Sequence, residues 1–188
     1  VAGCLKHFPG LGDTTVDSHE VLPTVRRDRH QLENQDFRPY RLLAKRAASV
    51  MVGHGHYPTL DPQPGLPATL SHAIVQGCLR EQVGFGGLVV SDDMEMGAVA
   101  DLDHDGGAAV AAVAAGCDLV LYCADLERAA RAHRALDEVA AGDPSFRSRI
   151  EAAATSVIQT AARWPTARPD VDAWETARRE IWTAARIA

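Results

Sequence analysis

Four short, mostly apolar runs punctuate the first two thirds of the chain, and each leads into a polar loop and then a stretch with helical spacing. The runs are Val1 to His7, Ser49 to Gly53, Gly87 to Ser91 and Asp118 to Cys123. Continuous rather than alternating apolar residues predict strands covered on both faces, as in a parallel sheet. A first helix is expected from about Asp36, with Tyr40, Leu43 and Ala44 on one face. A second follows Ser71 as N-cap, turns Ile74, Val75, Cys78 and Leu79 inward, and stops at Gly84. An alanine-rich helix ends at Gly116. Another starts at the N-cap Asp125 and is expected to bury Leu126, Ala129, His133 and Leu136. The last regular helix runs from Ser145, with Phe146, Ile150, Ala153, Val157 and Ile158 repeating.

Pro165 to Pro169 interrupts this rhythm. Residues 1–164 therefore read as one α/β unit, and 165–188 as a proline-containing linker and an amphipathic helix with Trp174, Ile181 and Trp182. About four βα units in a row, followed by C-terminal helices, fit part of a (β/α)8 TIM-type barrel or an open doubly wound sheet. A complete barrel needs about 250 residues. Because the chain opens in mid-strand, the expectation is the C-terminal part of a barrel whose N-terminal half is absent.

The polar residues are not scattered. Lys6-His7, His54-Gly55-His56, Asp92-Asp93 and Asp125 all fall at the C-terminal ends of predicted strands, where parallel α/β folds build their sites. Composition narrows the chemistry. Of 188 residues, 46% are hydrophobic and 23% charged, which is ordinary for a globular chain. The formal net charge of −6 and the lack of a basic patch argue against nucleic acid as a partner. No apolar run reaches membrane-spanning length and no signal peptide is visible. Cys4, Cys78, Cys117 and Cys123 lack C-x-x-C spacing, so buried free thiols and a reducing, cytoplasmic setting are expected.

Asp92 ends the strand Leu88-Val89-Val90-Ser91, the rigid placement that a nucleophilic carboxylate needs; a helix N-cap is the plainer reading. Asp17-Ser18-His19 lies on an irregular loop after Gly10 and Gly12. The aspartate can accept from one ring nitrogen and leave the other for proton transfer, although a D-x-H triplet alone fits a solvated loop equally well. Lys6 and His7 can donate to sugar hydroxyls or an acyl carbonyl, or simply cap the loop. His54 and His56, with Asp92 or Asp93, offer a zinc-ligand pattern. Against it, Tyr57-Pro58 and Asp61-Pro62 mark a rigid turn in which one histidine serves as a structural hydrogen-bonder.

These strings carry a resemblance. The pattern K-H-F-P-G-x-G-D-T-x-x-D-S-H-x-x-L-P over Lys6–Pro23 resembles the signature of glycoside hydrolase family 3, in its bacterial β-N-acetylhexosaminidase branch. Val50 to His54, Tyr57-Pro58, Asp61-Pro62, Pro67-Ala68, Gly84-Phe85, Gly87 and Val89 to Gly97 extend it, so that it covers Lys6 to Leu121. The resemblance implies a retaining exo-β-N-acetylglucosaminidase on a (β/α)8-type barrel that removes terminal N-acetylhexosamine, commonly from muropeptides, with no metal or cofactor. Asp92 would be the nucleophile, His19 the acid/base and Asp17 its dyad partner. Lys6, His7, His54 and Met96 would bind the sugar. Leu11 stands where many relatives have His, and Glu95 where several have Ser.

A histidine acid/base does not repel an anionic acceptor, so phosphorolysis is an alternative to hydrolysis. A metal-dependent barrel hydrolase using His54 and His56, or an inactive piece, are the others. In the last case the edge strands Val1 to Leu5 and Leu119 to Tyr122 would need a barrel half or a second copy to cover them.

Overall fold

The four predicted strands form one parallel sheet in the order β1-β2-β3-β4: β1 Cys4–Phe8, β2 Ser49–Val52, β3 Leu88–Asp93 and β4 Leu119–Leu121. The computed structural model describes residues 2–12, 14, 16–164, 172, 174–176 and 179. Each strand pairs with the next in sequence, and the order never reverses. A doubly wound sheet requires such a reversal, at its topological switch point. Sequential order is that of a (β/α)8 barrel wall, in which right-handed crossovers put every helix on one side.

Val50, Val52 and Val89 are buried in the sheet, and Phe8 closes β1 against Phe37 and Tyr40. The Phe8 ring lies 5.2 Å from Phe37 and meets Tyr40 edge-on at 5.0 Å. The chain between β1 and β2 enters α1 (Arg29–Gln31) through a capping box in which Asp28 and Gln31 exchange bonds. A wide π-type turn, Leu32–Asp36, then leads into α2 (Arg38–Leu43). Phe37, rather than the expected Leu43, takes the core position here; Leu43 is exposed and Tyr40 is buried.

The helix after Ser71 is a π-type segment, Ala73–Gln82, whose Ile74 N–H donates to the Ser71 hydroxyl. Ile74, Val75, Cys78 and Leu79 are buried as expected, and Gly84 adopts φ +76° at the stop. After β3 come α3 (Gly97–Ala100) and α4 (Gly107–Ala115), the latter closed by Gly116 at φ +123°. Helix α5 (Leu126–Gly142) starts at its predicted cap, Asp125, and α6 (Pro144–Arg163) starts just ahead of the expected Ser145, capped by Asp143.

The buried stripe of α5 differs from the expected one. Leu126 is 85% exposed and His133 is exposed, whereas Ala132 is buried. The cause is close approach: a Cβ on Gly106 would meet the Ala132 Cα at 2.7 Å, so the contact admits only small residues. In α6, Phe146 and Ala153 are buried while Ile158 is exposed. All four cysteines are free, but only Cys78 and Cys117 are buried; Cys4 and Cys123 are exposed, against expectation. Trp174 is helical and exposed, whereas the linker Pro165 to Pro169, Ile181 and Trp182 lie outside the described residues. Among the described residues, no helix is long and apolar enough to cross a membrane.

Candidate active site

The two irregularities in the strand ladder fall on predicted site residues. Register shifts between Leu5 and Phe8, and again between Val90 and Asp93, so Lys6-His7 and Asp92 sit where regular pairing gives way. Such irregularities re-aim side chains at strand ends. The Lys6–His7 and Phe8–Pro9 peptides are both cis.

A cleft of about 460 Å³ opens at this end of the sheet, and all seven residues predicted for the site line it: Lys6, His7, Asp17, His19, His54, Asp92 and Met96. At its floor the Asp92 side chain is 16% exposed, and its Oδ2 lies 3.6 Å from His7 Nε2. Burial lowers the His7 pKa more than Asp92 raises it, so the ring is neutral at neutral pH. Asp92 Oδ1 accepts its neighbour's amide, Asp93 N–H, at 3.0 Å.

His54 is fully buried beneath the cleft. Its Nε2–H donates to the Asp93 carbonyl at 2.9 Å, since a carbonyl can only accept. Burial favours the neutral ring, so Nδ1, 2.8 Å from the Thr69 hydroxyl, accepts from it. Both nitrogens are thus engaged within the protein. His54 buttresses the turn after Asp92 rather than offering a free donor to a ligand. His56 points elsewhere, its Nδ1 lying 3.4 Å from the Thr24 hydroxyl. Among the described residues no group of three His, Cys, Asp or Glu side chains could hold a metal ion. The residues present do not fit the zinc pattern that His54-Gly55-His56 suggests.

The Asp17–His19 pair forms as expected. Asp17 Oδ1 accepts from His19 Nδ1 at 2.7 Å and from the His19 backbone N–H at 2.9 Å. This fixes Nδ1 as the donor and leaves Nε2 for proton transfer. The hydrogen bond and the charge of Asp17 raise the His19 pKa, with smaller contributions from Asp92 and Asp93 across the cleft. The same bonds hold Asp17 below its usual range. Both side chains are exposed, on the outer lip of the cleft.

Three contacts hold that lip in place, none foreseen from spacing. Tyr57 Oη donates to the Gly10 carbonyl at 2.8 Å. Gly97 N–H donates to the His19 carbonyl at 3.0 Å, and Ala98 N–H to the Ser18 carbonyl at 3.3 Å. The N-terminus of α3, which directly follows the Asp92 turn, therefore carries the dyad loop. Glycine is required at the junction, because a Cβ at 97 would lie 2.1 Å from the Glu20 carbonyl oxygen. Thr69 was also not singled out, and a lone threonine in a loop gives no sequence signal. Gly97 did carry one, as a glycine directly after the acidic turn.

Comparison with known proteins places the chain in a family. The family model for the glycosyl hydrolase family 3 N terminal domain matches residues 1–160. A β-hexosaminidase of Aromatoleum aromaticum is 40% identical over 153 residues, covering 80% of this chain and 41% of that protein. The solved family 3 β-N-acetylglucosaminidase from Paenibacillus sp. str. FPU-7 superposes with a TM-score of 0.80 at 37% identity, covering 91% of this chain and 33% of that one. Zinc-bound CbsA from Thermotoga neapolitana gives 0.80 at 31% identity, covering 89% and 36%. The chain thus spans about two fifths of the length of the first relative and about a third of the other two.

Proposed function

This chain belongs to the glycosyl hydrolase family 3 N-terminal domain family, and from that premise we propose that its cleft cleaves terminal β-linked N-acetylhexosamine from glycans, with retention of configuration. The observation that carries the reading is the convergence of a floor carboxylate, Asp92, and a lip dyad, Asp17–His19, on one cleft. The names of the relatives, β-hexosaminidase and β-N-acetylglucosaminidase, support the sugar.

In the first step His19 Nε2–H gives its proton to the glycosidic oxygen. The C1–O bond breaks, and an Asp92 oxygen bonds to C1 through an oxocarbenium-like transition state. The aglycone leaves as an alcohol. In the second step neutral His19 takes a proton from water, the water oxygen attacks C1, and Asp92 departs as carboxylate. Two inversions at C1 give net retention. Lys6 and neutral His7 donate to the sugar's oxygens, and Met96 supplies an apolar wall. His54 acts through the Asp93 carbonyl, holding the turn that carries Asp92. A muropeptide is the natural substrate in this reading. Phosphate in place of water would meet an imidazole rather than a carboxylate as the base, and would yield the sugar 1-phosphate.

The test is release of 4-nitrophenol from its N-acetyl-β-D-glucosaminide by the 188-residue chain, across pH and with or without phosphate. His19 must be protonated in the free enzyme for the first step, so kcat/KM is expected to fall on the alkaline side as His19 loses its proton. Asp17 holds that proton on. In Asp17→Asn the alkaline limb should move to lower pH, toward the ordinary histidine value of 6.5. An unmoved limb would assign it to another group, and no release at any pH would defeat the reading.

A further inference from the structure

The acidic turn after β3 holds a carboxylate that the reaction does not use. The Glu95 side chain turns away from the cleft, toward the loop after β4. One of its oxygens, Oε2, accepts from Cys123 N–H at 2.7 Å and Ala124 N–H at 2.6 Å; the other, Oε1, accepts from Asp125 N–H at 2.8 Å. Three successive amides of the loop after β4 therefore close on one ionised group. Charge-assisted bonds of this length are the strong kind. They hold the Glu95 carboxyl below its usual range.

The same residue is tied at its backbone, where Glu95 N–H donates to Asp93 Oδ1 at 3.1 Å. Met96 N–H donates to the Asp93 carbonyl, which also accepts from His54, and Met94 N–H donates to the Leu121 carbonyl. Glu95 is thus flanked by Met94, fully buried and joined to β4, and Met96, which lines the cleft. The next residue, Gly97, carries the dyad loop. A group that fixes Glu95 fixes the register of everything from Asp92 to Gly97.

We propose that Glu95 is a positioning residue: its carboxylate straps the β4–α5 loop to the Asp92–Gly97 turn and so sets both the nucleophile and the lip that carries His19. The proposal rests on the glycosidase reading for its kinetic part alone.

The test is Glu95→Gln in the full chain, read by amide hydrogen exchange and by kinetics. Glutamine keeps the shape but replaces one acceptor by an NH2 donor that opposes a backbone N–H. Exchange at Cys123, Ala124 and Asp125 should accelerate about tenfold or more, while Val89, whose amide is held by Asp118, stays unchanged. In the 4-nitrophenyl assay, well below the unfolding midpoint, kcat should fall about tenfold with a smaller change in KM, because the reacting groups shift while Lys6 and His7 stay in place and Met96 is the one sugar contact in the strapped turn. Glu95→Asp, one methylene short, should lie between. Unchanged exchange at 123–125 would refute the strap, and accelerated exchange with unchanged kcat would refute its positioning part. An inactive wild-type chain would instead defeat the glycosidase reading, and with it any part for Glu95 in that reaction.

Discussion

Asp92→Ala is expected to abolish turnover, lowering kcat/KM by roughly 10⁴-fold or more, while leaving the fold intact. The size follows from the role: a nucleophile forms the bond that defines the first step, and no neighbour can take its place. Its closest ionisable contact, His7 at 3.6 Å, is neutral and on the wrong side of the charge balance. The fold should survive because, among the described residues, the side chain bonds to the adjacent Asp93 amide and otherwise meets the neutral His7 ring. Unchanged circular dichroism and melting beside lost activity would separate chemistry from stability. Added formate or azide can occupy the space of the missing carboxylate, and a rescued product of inverted configuration would place Asp92 at C1. A variant retaining more than a tenth of the activity would move the nucleophile elsewhere.

The second large effect lies at the opposite end of the sheet and concerns stability. Asp118 precedes β4, and its side chain is 2% exposed. Oδ2 accepts from Arg80 Nη2 at 2.6 Å and from Val89 N–H at 3.0 Å, and Oδ1 accepts from Arg149 Nη2 at 2.8 Å. One carboxylate thus joins the π-type segment, β3 and α6. In Asp118→Ala the two guanidinium groups lose their counter-ion and the Val89 amide loses its acceptor. Removing one partner of a buried pair costs about 3–5 kcal/mol. For a chain of this size that lowers the melting temperature by on the order of 10 °C. Thermal unfolding followed by circular dichroism checks it, and a loss below about 1 kcal/mol would show the network to be solvated. Conservative Asp118→Asn, which keeps an acceptor, should lose less.

The fold was legible because parallel strands announce themselves. Val50, Val52 and Val89 share one fully buried face, but the expected cover on both faces is only partial: Ser49 and Met51 are half-buried, and Cys4 and Lys6 of β1 are exposed on the site side. Two caps were equally readable: Ser71 and Asp125 each accept backbone N–H groups in their first turns, whereas Asp143, which caps the last long helix, was not singled out. What periodicity could not show was the depth of contact. The α5 stripe fails at Leu126 and His133 because Gly106 lets α5 approach so closely that only Ala132 fits, a property of the pair and not of either segment.

The site divides the same way. The seven residues proposed from strand-end placement and motif all line the cleft, since a loop after a parallel strand points toward that end; other lining residues, such as Thr14 and Val16, were not singled out. The part played by His54 was not readable. His54 was expected to contact the sugar, but Thr69 and the Asp93 carbonyl take its two nitrogens. Those partners lie 15 and 39 residues away in sequence, and no local pattern encodes such pairings. Asp118 was hidden for a related reason, reading as the plain start of an apolar run while Arg80 and Arg149 lay in other elements.

The central claim is that Asp92 and the Asp17–His19 dyad act together on one anomeric carbon. The most direct measurement is mass spectrometry of peptides from the chain quenched during turnover of an activated N-acetyl-β-D-glucosaminide. The account predicts a mass gain of one N-acetylhexosamine residue on the peptide containing Asp92, accumulating when His19→Ala slows the second step. Turnover with no such adduct on Asp92, or with the adduct on another carboxylate, would contradict it.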